Sequence, residues 1–133
     1  QNMLDFVKKN NLQDKVLILG HIGDYDLLKE YYSTSLLSVS PGYLGLSVTQ
    51  SFGFGVPMLI SKEEKHSPEI EAVKLNLNAK YFKTDDLNDL RKSIIEMFAN
   101  KKFWIQQRAQ INESCQLHYS IEAMADSFIK LVE

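Results

Sequence analysis

Short apolar runs alternate with longer segments of helical period along this chain. Four runs are too short for helices and are bounded by turn residues: KVLILG (15–20), LLSVS (36–40), PMLIS (57–61) and AKYF (79–82). Their unbroken apolar character is typical of strands that are covered on both faces, as in parallel sheets. The pattern therefore predicts four parallel strands.

Amphipathic segments separate and follow these runs, and the residues suited to cap them are Asp24, Asp85 or Asp86, and Ser120. A further helix is predicted around Phe103 and Trp104, an aromatic pair that is expected in the core. Alternating strands and helices favour right-handed βαβ units. The predicted fold class is therefore α/β, with a doubly wound, Rossmann-like parallel sheet and helices on both faces.

Composition limits the classes of function. The 133 residues, 44% of them hydrophobic, suffice for one domain with a real core. The net charge of −2 comes from 15 basic and 17 acidic residues scattered along the chain, which argues against a nucleic-acid partner. A lone cysteine, Cys115, favours a cytoplasmic location, and no apolar run is long enough to be a transmembrane segment. Because a helical stripe starts at Met3, we expect the chain to begin inside a longer polypeptide.

Glycine is concentrated in SVSPGYLGLSVTQSFGFGVPML (38–59), which holds four of the six glycines. Ligands of open α/β sheets bind at the carboxyl ends of strands, and here a strand, a loop and a helix start follow one another. Gly42 and Gly45 would let the loop adopt positive φ and approach a ligand closely. The amides of Gly45, Leu46 and Ser47 would then face an anion, which predicts a phosphate site.

A purely structural interpretation stays open for this loop, because strand-to-helix turns often contain glycine for packing alone. Gly53 and Gly55 fit such an interpretation best. They end the predicted helix ahead of Pro57, as a C-cap glycine followed by proline does.

Five separated segments resemble a known family, in order and over nearly the whole chain. SPGYLGLSVTQSFGFGVPMLIS (40–61) and HSPEIEAV (66–73) resemble the C-terminal nucleotide-sugar domain of GT-B glycosyltransferases, with its pattern Pro-x-x-Glu-Gly-Phe-Gly-Leu, helix, Gly-x-Pro-Val. The other matching segments are KVLILGHIGDYDLLKEYYSTSLLSVSP (15–41), DDLNDLRKSIIEMF (85–98) and HYSIEAMADSFIKL (118–131). The resemblance implies a GT-B C-terminal domain, residues 1–133, that lacks its first two strands.

The resemblance also implies three sets of site residues. The donor diphosphate would be bound by Gly45, Leu46 and Ser47. The donor sugar and ribose would be bound by Gly42, Tyr43, Leu44 and Gln50. The nucleobase would meet the loop Gly20, His21 and Ile22.

Two positions depart from the family's pattern. The family has two glutamates with seven residues between them, and these two positions are occupied here by Gly42 and Gln50. Gln50 offers an amide oxygen without the charge of a carboxylate, and Gly42 offers only its backbone. The departure resembles a PGxxGL subgroup of bacterial polysaccharide glycosyltransferases, and we interpret it as a change in donor recognition. The alternative is a non-catalytic Rossmann-like interaction or nucleotide-binding module with a degenerate donor site.

A second segment near this site has two interpretations. Ser67 is suited to cap a helix with Pro68 at its first position, and that helix start could meet the donor sugar. Glu69 could instead be only a favourable first-turn charge, and His66 an ordinary neighbour. His118 and Cys115 are assigned to packing or the surface.

The resemblance implies transfer of a sugar from a UDP- or GDP-sugar to a glycan or lipid-linked acceptor held by a missing N-terminal domain, with the retention of configuration that the family grouping suggests. No cofactor and no metal are implied, and the location would be cytoplasmic, peripheral at the inner membrane face. The fragment alone is expected to be inactive. Its incomplete sheet would be filled by a longer chain, or would rearrange or self-associate. A receiver domain is disfavoured by the lack of an acidic cluster, and a dehydrogenase by the lack of Gly-x-Gly-x-x-Gly after the first strand.

Overall fold

The computed structural model describes residues 2–132, with side chains described to residue 130. Its helices are α1 (Met3–Lys9), α2 (Tyr25–Thr34), α3 (Ser47–Gly53), α4 (Leu87–Ala99), α5 (Lys101–Tyr119), α6 (Ile121–Val132) and a 3₁₀ helix (Pro68–Ala72). Its strands are β1 (Ser38–Ser40), β2 (Met58–Ser61) and β3 (Ala79–Phe82). The described residues form two compact units, one up to Glu30 and one from Tyr31 onward.

The first unit contains two helix starts with side-chain caps. Asn2 Oδ1 accepts from Leu4 N at 3.1 Å and begins α1. Asp24 Oδ1 accepts from Leu27 N at 3.0 Å, so the predicted cap of α2 is confirmed. Each cap satisfies one of the amide groups that a helix leaves unpaired at its start.

The strand predicted at 15–20 is wrong. The run from Val16 to Leu19 is not assigned to a strand, and it pairs with no strand of the described residues. Its four apolar side chains are between 37% and 72% exposed. A strand exists only when a neighbour takes up its backbone hydrogen bonds, so apolar composition alone could not make one here.

The second unit is built on a three-stranded parallel sheet in the order β1-β2-β3. Ser38 pairs with Met58, and Met58 pairs with Ala79 on its other side. The other three predicted strands are thereby confirmed. The central strand β2 is buried along its whole length, as expected for a strand covered on both faces.

Helices cover both faces of this sheet. One cluster packs Met58 and Ile60 of β2 against buried side chains of α3 and α5, among them Phe52 and Ile111. The other cluster packs Leu59 of β2 against Met97 of α4 and Trp104 of α5, together with Phe82 of β3. Alternate residues of β2 thus face opposite layers, which confirms the predicted α/β fold class.

The C-terminal turn of α3 (residues 53–56) is a Schellman motif. Gly55 has φ +72°, its N–H donates to Phe52 O at 2.8 Å, and Val56 N donates to Ser51 O at 2.9 Å. Arg108 of α5 packs against this turn, because a Cβ on Gly55 would lie 2.5 Å from Arg108 O. The structural interpretation of Gly55 is confirmed.

Side chains of α5 also bind the carbonyl groups around this turn. Arg108 donates to Ser35 O at 2.6 Å, to Tyr32 O at 2.9 Å and to Phe54 O at 3.4 Å. Asn112 Nδ2 donates to Gly53 O. Carbonyls at helix ends lack intrahelical donors, so these bonds tie the ends of α2 and α3 to α5.

The last helices begin where the sequence predicts. Asp86 Oδ1 accepts from Asn88 N and Asp89 N at 3.0 Å, and Ser120 Oγ accepts from Ala123 N at 3.1 Å. Cys115 is buried and donates to Thr49 O at 3.4 Å, so its assignment to packing is confirmed, and burial raises the pKa of its thiol. Within the part of the chain that the structure describes, no helix is both long enough and apolar enough to cross a membrane.

Candidate functional site

The β1–α3 loop (residues 41–46) leaves the carboxyl end of β1 and leads into α3. Leu44 anchors it, because its side chain is 0% exposed and belongs to the core cluster with Val48 and Phe52. Tyr43 and Leu46 on either side are 68% and 72% exposed. The loop is therefore fixed at its middle and open at its surface.

Three successive amides of this loop and helix start are free. The N–H groups of Gly45, Leu46 and Ser47 donate to no group among the described residues, whereas the next amide, Val48 N, donates to Gly45 O at 3.2 Å. Leu46 occupies the N-cap position and provides no side-chain cap. The loop thus presents unpaired donors in the place where the sequence predicts a diphosphate site.

The predicted backbone reason for the loop glycines is wrong. Neither Gly42 nor Gly45 has a positive φ; among the described glycines, Gly20 and Gly55 do. A Cβ on Gly42 would meet nothing within 4 Å, and one on Gly45 would lie 3.6 Å from the Tyr43 ring. The turn is made without left-handed residues, so these glycines differ from Ala by leaving open space above the loop.

The other predicted site residues have simple surroundings. Gln50 is exposed on α3, and its N–H donates to Leu46 O at 3.0 Å in the first turn. The predicted base loop belongs to the first unit, where Gly20 has φ +67°, His21 is exposed and Ile22 is half-buried. No contact tests their predicted roles.

The segment after β2 is hydrogen-bonded to the β1–α3 loop. Ser67 N donates to Leu44 O at 3.0 Å, which attaches the start of the 3₁₀ helix to the anchor of the loop. Ser67 is at the N-cap and Pro68 follows it, as predicted, but the Ser67 hydroxyl makes no capping bond. The helix is 3₁₀ rather than α and ends after five residues.

Three buried polar atoms of this segment have no hydrogen-bond partner among the described residues: His66 Nδ1, Ser67 Oγ and Glu69 Oε2. The Ser67 hydroxyl and, to a smaller extent, the Glu69 amide lower the pKa of the Glu69 carboxyl. From the sequence, this segment was predicted only to begin a helix that could meet the donor sugar. The Ser-Pro-Glu order indicated a helix start, but it could not show that the hydroxyl is left uncapped.

The ends of β2 and β3 show the opposite arrangement. Ser61 and Thr84 share a hydroxyl bond of 2.6 Å, Glu63 N donates to Thr84 Oγ1 at 2.9 Å, and Thr84 N donates to Glu63 Oε2 at 2.8 Å. The Thr84 amide and hydroxyl lower the pKa of the Glu63 carboxyl. This cluster satisfies its own polar groups and joins the two strand ends.

Neither metal-ligating groups nor the cavities along β3 add to this site. Within residues 2–132, no group of three or more His, Cys, Asp or Glu side chains is placed to hold a metal ion. A cavity of about 480 Å³ lies along β3, lined by Lys62, Lys80 and Tyr81 among others, and it includes none of the predicted site residues.

Comparison with solved structures decides the fold. The chain superimposes on sucrose-phosphate synthase from Thermosynechococcus elongatus with a TM-score of 0.80 and 24% identity, over 98% of this chain and 32% of that one. It superimposes on TarM with a TM-score of 0.74 and 18% identity, over 97% of this chain and 26% of that one. Both proteins are GT-B glycosyltransferases. The chain has the fold of a GT-B C-terminal domain.

This GT-B-type domain spans less than a third of either structural neighbour. No protein-family model matches the sequence, and no curated protein matches it. At these identities the likeness establishes the fold, and the roles of individual residues have to be argued from their own geometry.

Proposed function

We propose that this GT-B-type domain binds a nucleotide-diphosphate sugar and forms the donor half of a glycosyltransferase. The observation that carries the proposal is the row of three free amides at Gly45, Leu46 and Ser47, on a loop at the carboxyl end of β1. Backbone N–H groups in this position suit an anion, and ligands of open α/β sheets gather at this edge. The fold shared with two glycosyltransferases supports the same assignment.

The remaining roles follow the order of the loop. Gly42 and Tyr43 would approach the donor sugar, where the open space above Gly42 admits a ligand. Leu44, whose side chain is fully buried, would offer only its backbone. Gln50, exposed on the next turn of α3, would offer its amide oxygen to a ribose hydroxyl. The base-binding role of Gly20, His21 and Ile22, which belong to the first unit, stays a prediction of the family resemblance. In transfer, the free amides would stabilise the departing diphosphate, and binding would position the sugar for attack.

The acceptor, the cell compartment and the stereochemistry belong to the same proposal. We place the whole protein in polysaccharide or glycan synthesis at the cytoplasmic face of a membrane, with a glycan or lipid-linked acceptor held outside this domain. The sugar would be transferred with retention. One observation favours the alternative of a degenerate, non-catalytic binding module: Gly42 and Gln50 bring no carboxylate to the loop.

A single backbone change tests the diphosphate site. Leu46 has φ −57° and a free N–H, so Leu46→Pro keeps the backbone angle and deletes one amide donor. Leu46→Ala is the matched control, because it removes the same exposed side chain and keeps the amide. We expect Leu46→Pro to weaken UDP or GDP binding about tenfold in calorimetric titration, and Leu46→Ala to leave it unchanged.

The parent chain is titrated first with UDP, GDP and their sugar conjugates while the amide resonances of residues 42–50 are followed by NMR. Saturable shifts confined to these residues are the expected result, and the nucleotide that binds most tightly identifies the base. A folded chain that binds none of these nucleotides would contradict the proposal for this chain. If Leu46→Pro and Leu46→Ala lose affinity for the nucleotide equally, the Leu46 amide does not contribute to binding.

A further inference from the structure

Among the described residues, four buried side-chain polar atoms lack a hydrogen-bond partner; three lie between His66 and Glu69, and the fourth is Gln107 Oε1. His66 Nδ1, Ser67 Oγ and Glu69 Oε2 are each shielded from solvent and lack a hydrogen-bond partner among the described residues. Buried polar groups in folded proteins are nearly always paired, because leaving one unpaired costs about 1–3 kcal/mol. Three within four consecutive residues indicate a partner that brings several polar groups of its own.

Ser67 is the most deeply buried of the three. Its side chain and backbone together are 9% exposed, and its N–H is already used by Leu44 O. A serine at an N-cap usually accepts from the helix, yet this hydroxyl makes no such bond. The Ser67 hydroxyl therefore leaves the helix amides uncapped and instead acts on the neighbouring Glu69 carboxyl.

The other two atoms define what that partner must offer. His66 Nε2 lies 2.7 Å from Ser61 O, a carbonyl that can only accept, so Nε2 carries the hydrogen. In the neutral imidazole, Nδ1 is then an acceptor. The Glu69 carboxylate is acceptor-only, and the Ser67 hydroxyl and the Glu69 amide lower the pKa of its carboxyl, which keeps it ionised at neutral pH.

Two acceptors beside a hydroxyl that both donates and accepts complement a ligand rich in O–H donors. A fully ionised phosphate group offers no O–H donor, and its charge would be repelled by Glu69. A sugar has several adjacent hydroxyls, each a donor and an acceptor. The bond from Ser67 N to Leu44 O holds this segment against the β1–α3 loop, beside the free amides.

We propose that His66, Ser67 and Glu69 form a subsite for the hydroxyl groups of a sugar. This inference rests on the proposed function in one respect: it places the sugar next to the β1–α3 loop, which is proposed to bind the nucleotide. The sugar is that of the nucleotide donor or that of an acceptor, since both present the same hydroxyl chemistry.

The test compares binding of a nucleotide with binding of its sugar conjugate by the full chain. UDP, UDP-glucose, GDP and GDP-mannose are titrated calorimetrically into the parent, Ser67→Ala and Glu69→Gln. Glu71→Gln is the matched control, an exposed carboxylate on the same 3₁₀ helix. We expect Ser67→Ala and Glu69→Gln to weaken binding of the sugar conjugate about tenfold, with the affinity for the bare nucleotide unchanged and the control equal to the parent.

The free sugars glucose, mannose and maltose form a second arm, followed through the amide resonances of His66, Ser67 and Glu69. Shifts with free sugar that disappear in Glu69→Gln support the subsite and assign it to an acceptor. These shifts would support the sugar subsite even if no nucleotide binds and the proposed function fails.

Three results would overturn the subsite. One is a variant that loses bare nucleotide and sugar conjugate in equal measure, because that would indicate a distorted loop. Another is a parent that binds UDP and UDP-glucose equally and shows no response to free sugars, while the nucleotide site itself stands. The last is silence with every nucleotide and sugar, which would leave these atoms solvated by water alone and would count against the proposed function too.

Discussion

Gly55 and Gly42 lie beyond opposite ends of α3 and have opposite surroundings. At the C-terminal turn, Gly55 adopts φ +72° against the backbone of Arg108, and the carbonyls nearby receive bonds from α5. At the β1–α3 loop, Gly42 has open space above it, and the amides of Gly45, Leu46 and Ser47 are unpaired among the described residues. A glycine held by its surroundings supports the fold, and one facing empty space leaves room for a ligand.

The largest effect is expected at Gly55. Gly55→Ala should lower the free energy of unfolding by about 3 kcal/mol, because Ala is strained at positive φ and its Cβ would collide with Arg108 O. Gly53→Ala is the matched control, since a Cβ there meets nothing within 4 Å. Urea unfolding followed by circular dichroism measures both. A Gly55→Ala protein as stable as the parent would show that the turn is not held as described.

The next effect is expected at Arg108, which holds the C-terminal turn from α5. Arg108→Met keeps much of the aliphatic stem and removes the donors to Ser35 O, Tyr32 O and Phe54 O. We expect a loss of about 2 kcal/mol in the free energy of unfolding, since part-buried carbonyls would lose their partners. Arg91→Met, on an exposed position of α4, should change it by less than about 0.5 kcal/mol. Similar values for the two would contradict the assigned role.

A smaller effect on stability separates the β1–α3 loop from the C-terminal turn. Gly42→Ala should change the free energy of unfolding by less than about 0.5 kcal/mol, because its φ is not positive and its Cβ meets nothing. The same methyl group should reduce affinity for a nucleotide sugar, which needs that space. Thermal unfolding and calorimetric titration measure the two properties separately. A strongly destabilised Gly42→Ala would make the two turns alike.

The smallest effect on stability is expected at Glu63. Its polar groups form hydrogen bonds with those of Thr84, and Thr84 is in turn bonded to Ser61. Thr84 lowers the pKa of the Glu63 carboxyl from its ordinary value of 4.5, so the unfolded chain binds the proton more tightly. This contribution to stability is complete above pH 4.5 and is lost as the pH falls through the lowered folded pKa. Unfolding between pH 7 and pH 3 should therefore show a shallower acid loss in Glu63→Gln. An identical dependence of stability on pH in the parent and in Glu63→Gln would show that the hydrogen bonds between Glu63 and Thr84 do not contribute.

The segment from His66 to Glu69 extends the comparison between the α3 turns to a second pair of regions. It follows the same strand as the Glu63 cluster and has similar polar composition. Three of its side-chain atoms nevertheless lack partners, whereas the side chains of Glu63, Ser61 and Thr84 are hydrogen-bonded. Composition does not distinguish the two. Pairing does, and pairing depends on which segments the fold brings together.

The sequence predicted much of this structure because its patterns are local. The caps at Asp24, Asp86 and Ser120 work through bonds to amides two or three residues away, and Gly55 acts within its own turn. Three strands could be predicted because each is a short apolar run bounded by turn residues, which the residue pattern alone encodes. Of the three, β2 is buried along its whole length, as the parallel-sheet interpretation expects.

The sequence by itself determined the α/β class, the helix starts, the glycine turns and the likeness to GT-B domains. The tertiary structure alone decided that the run from Val16 to Leu19 is not a strand, that Gly42 and Gly45 avoid positive φ, and that Ser67 is buried without a partner. The physical reason is range. Caps and periodicity are set within a few residues, whereas strand pairing and the satisfaction of a buried hydroxyl depend on segments far away in sequence.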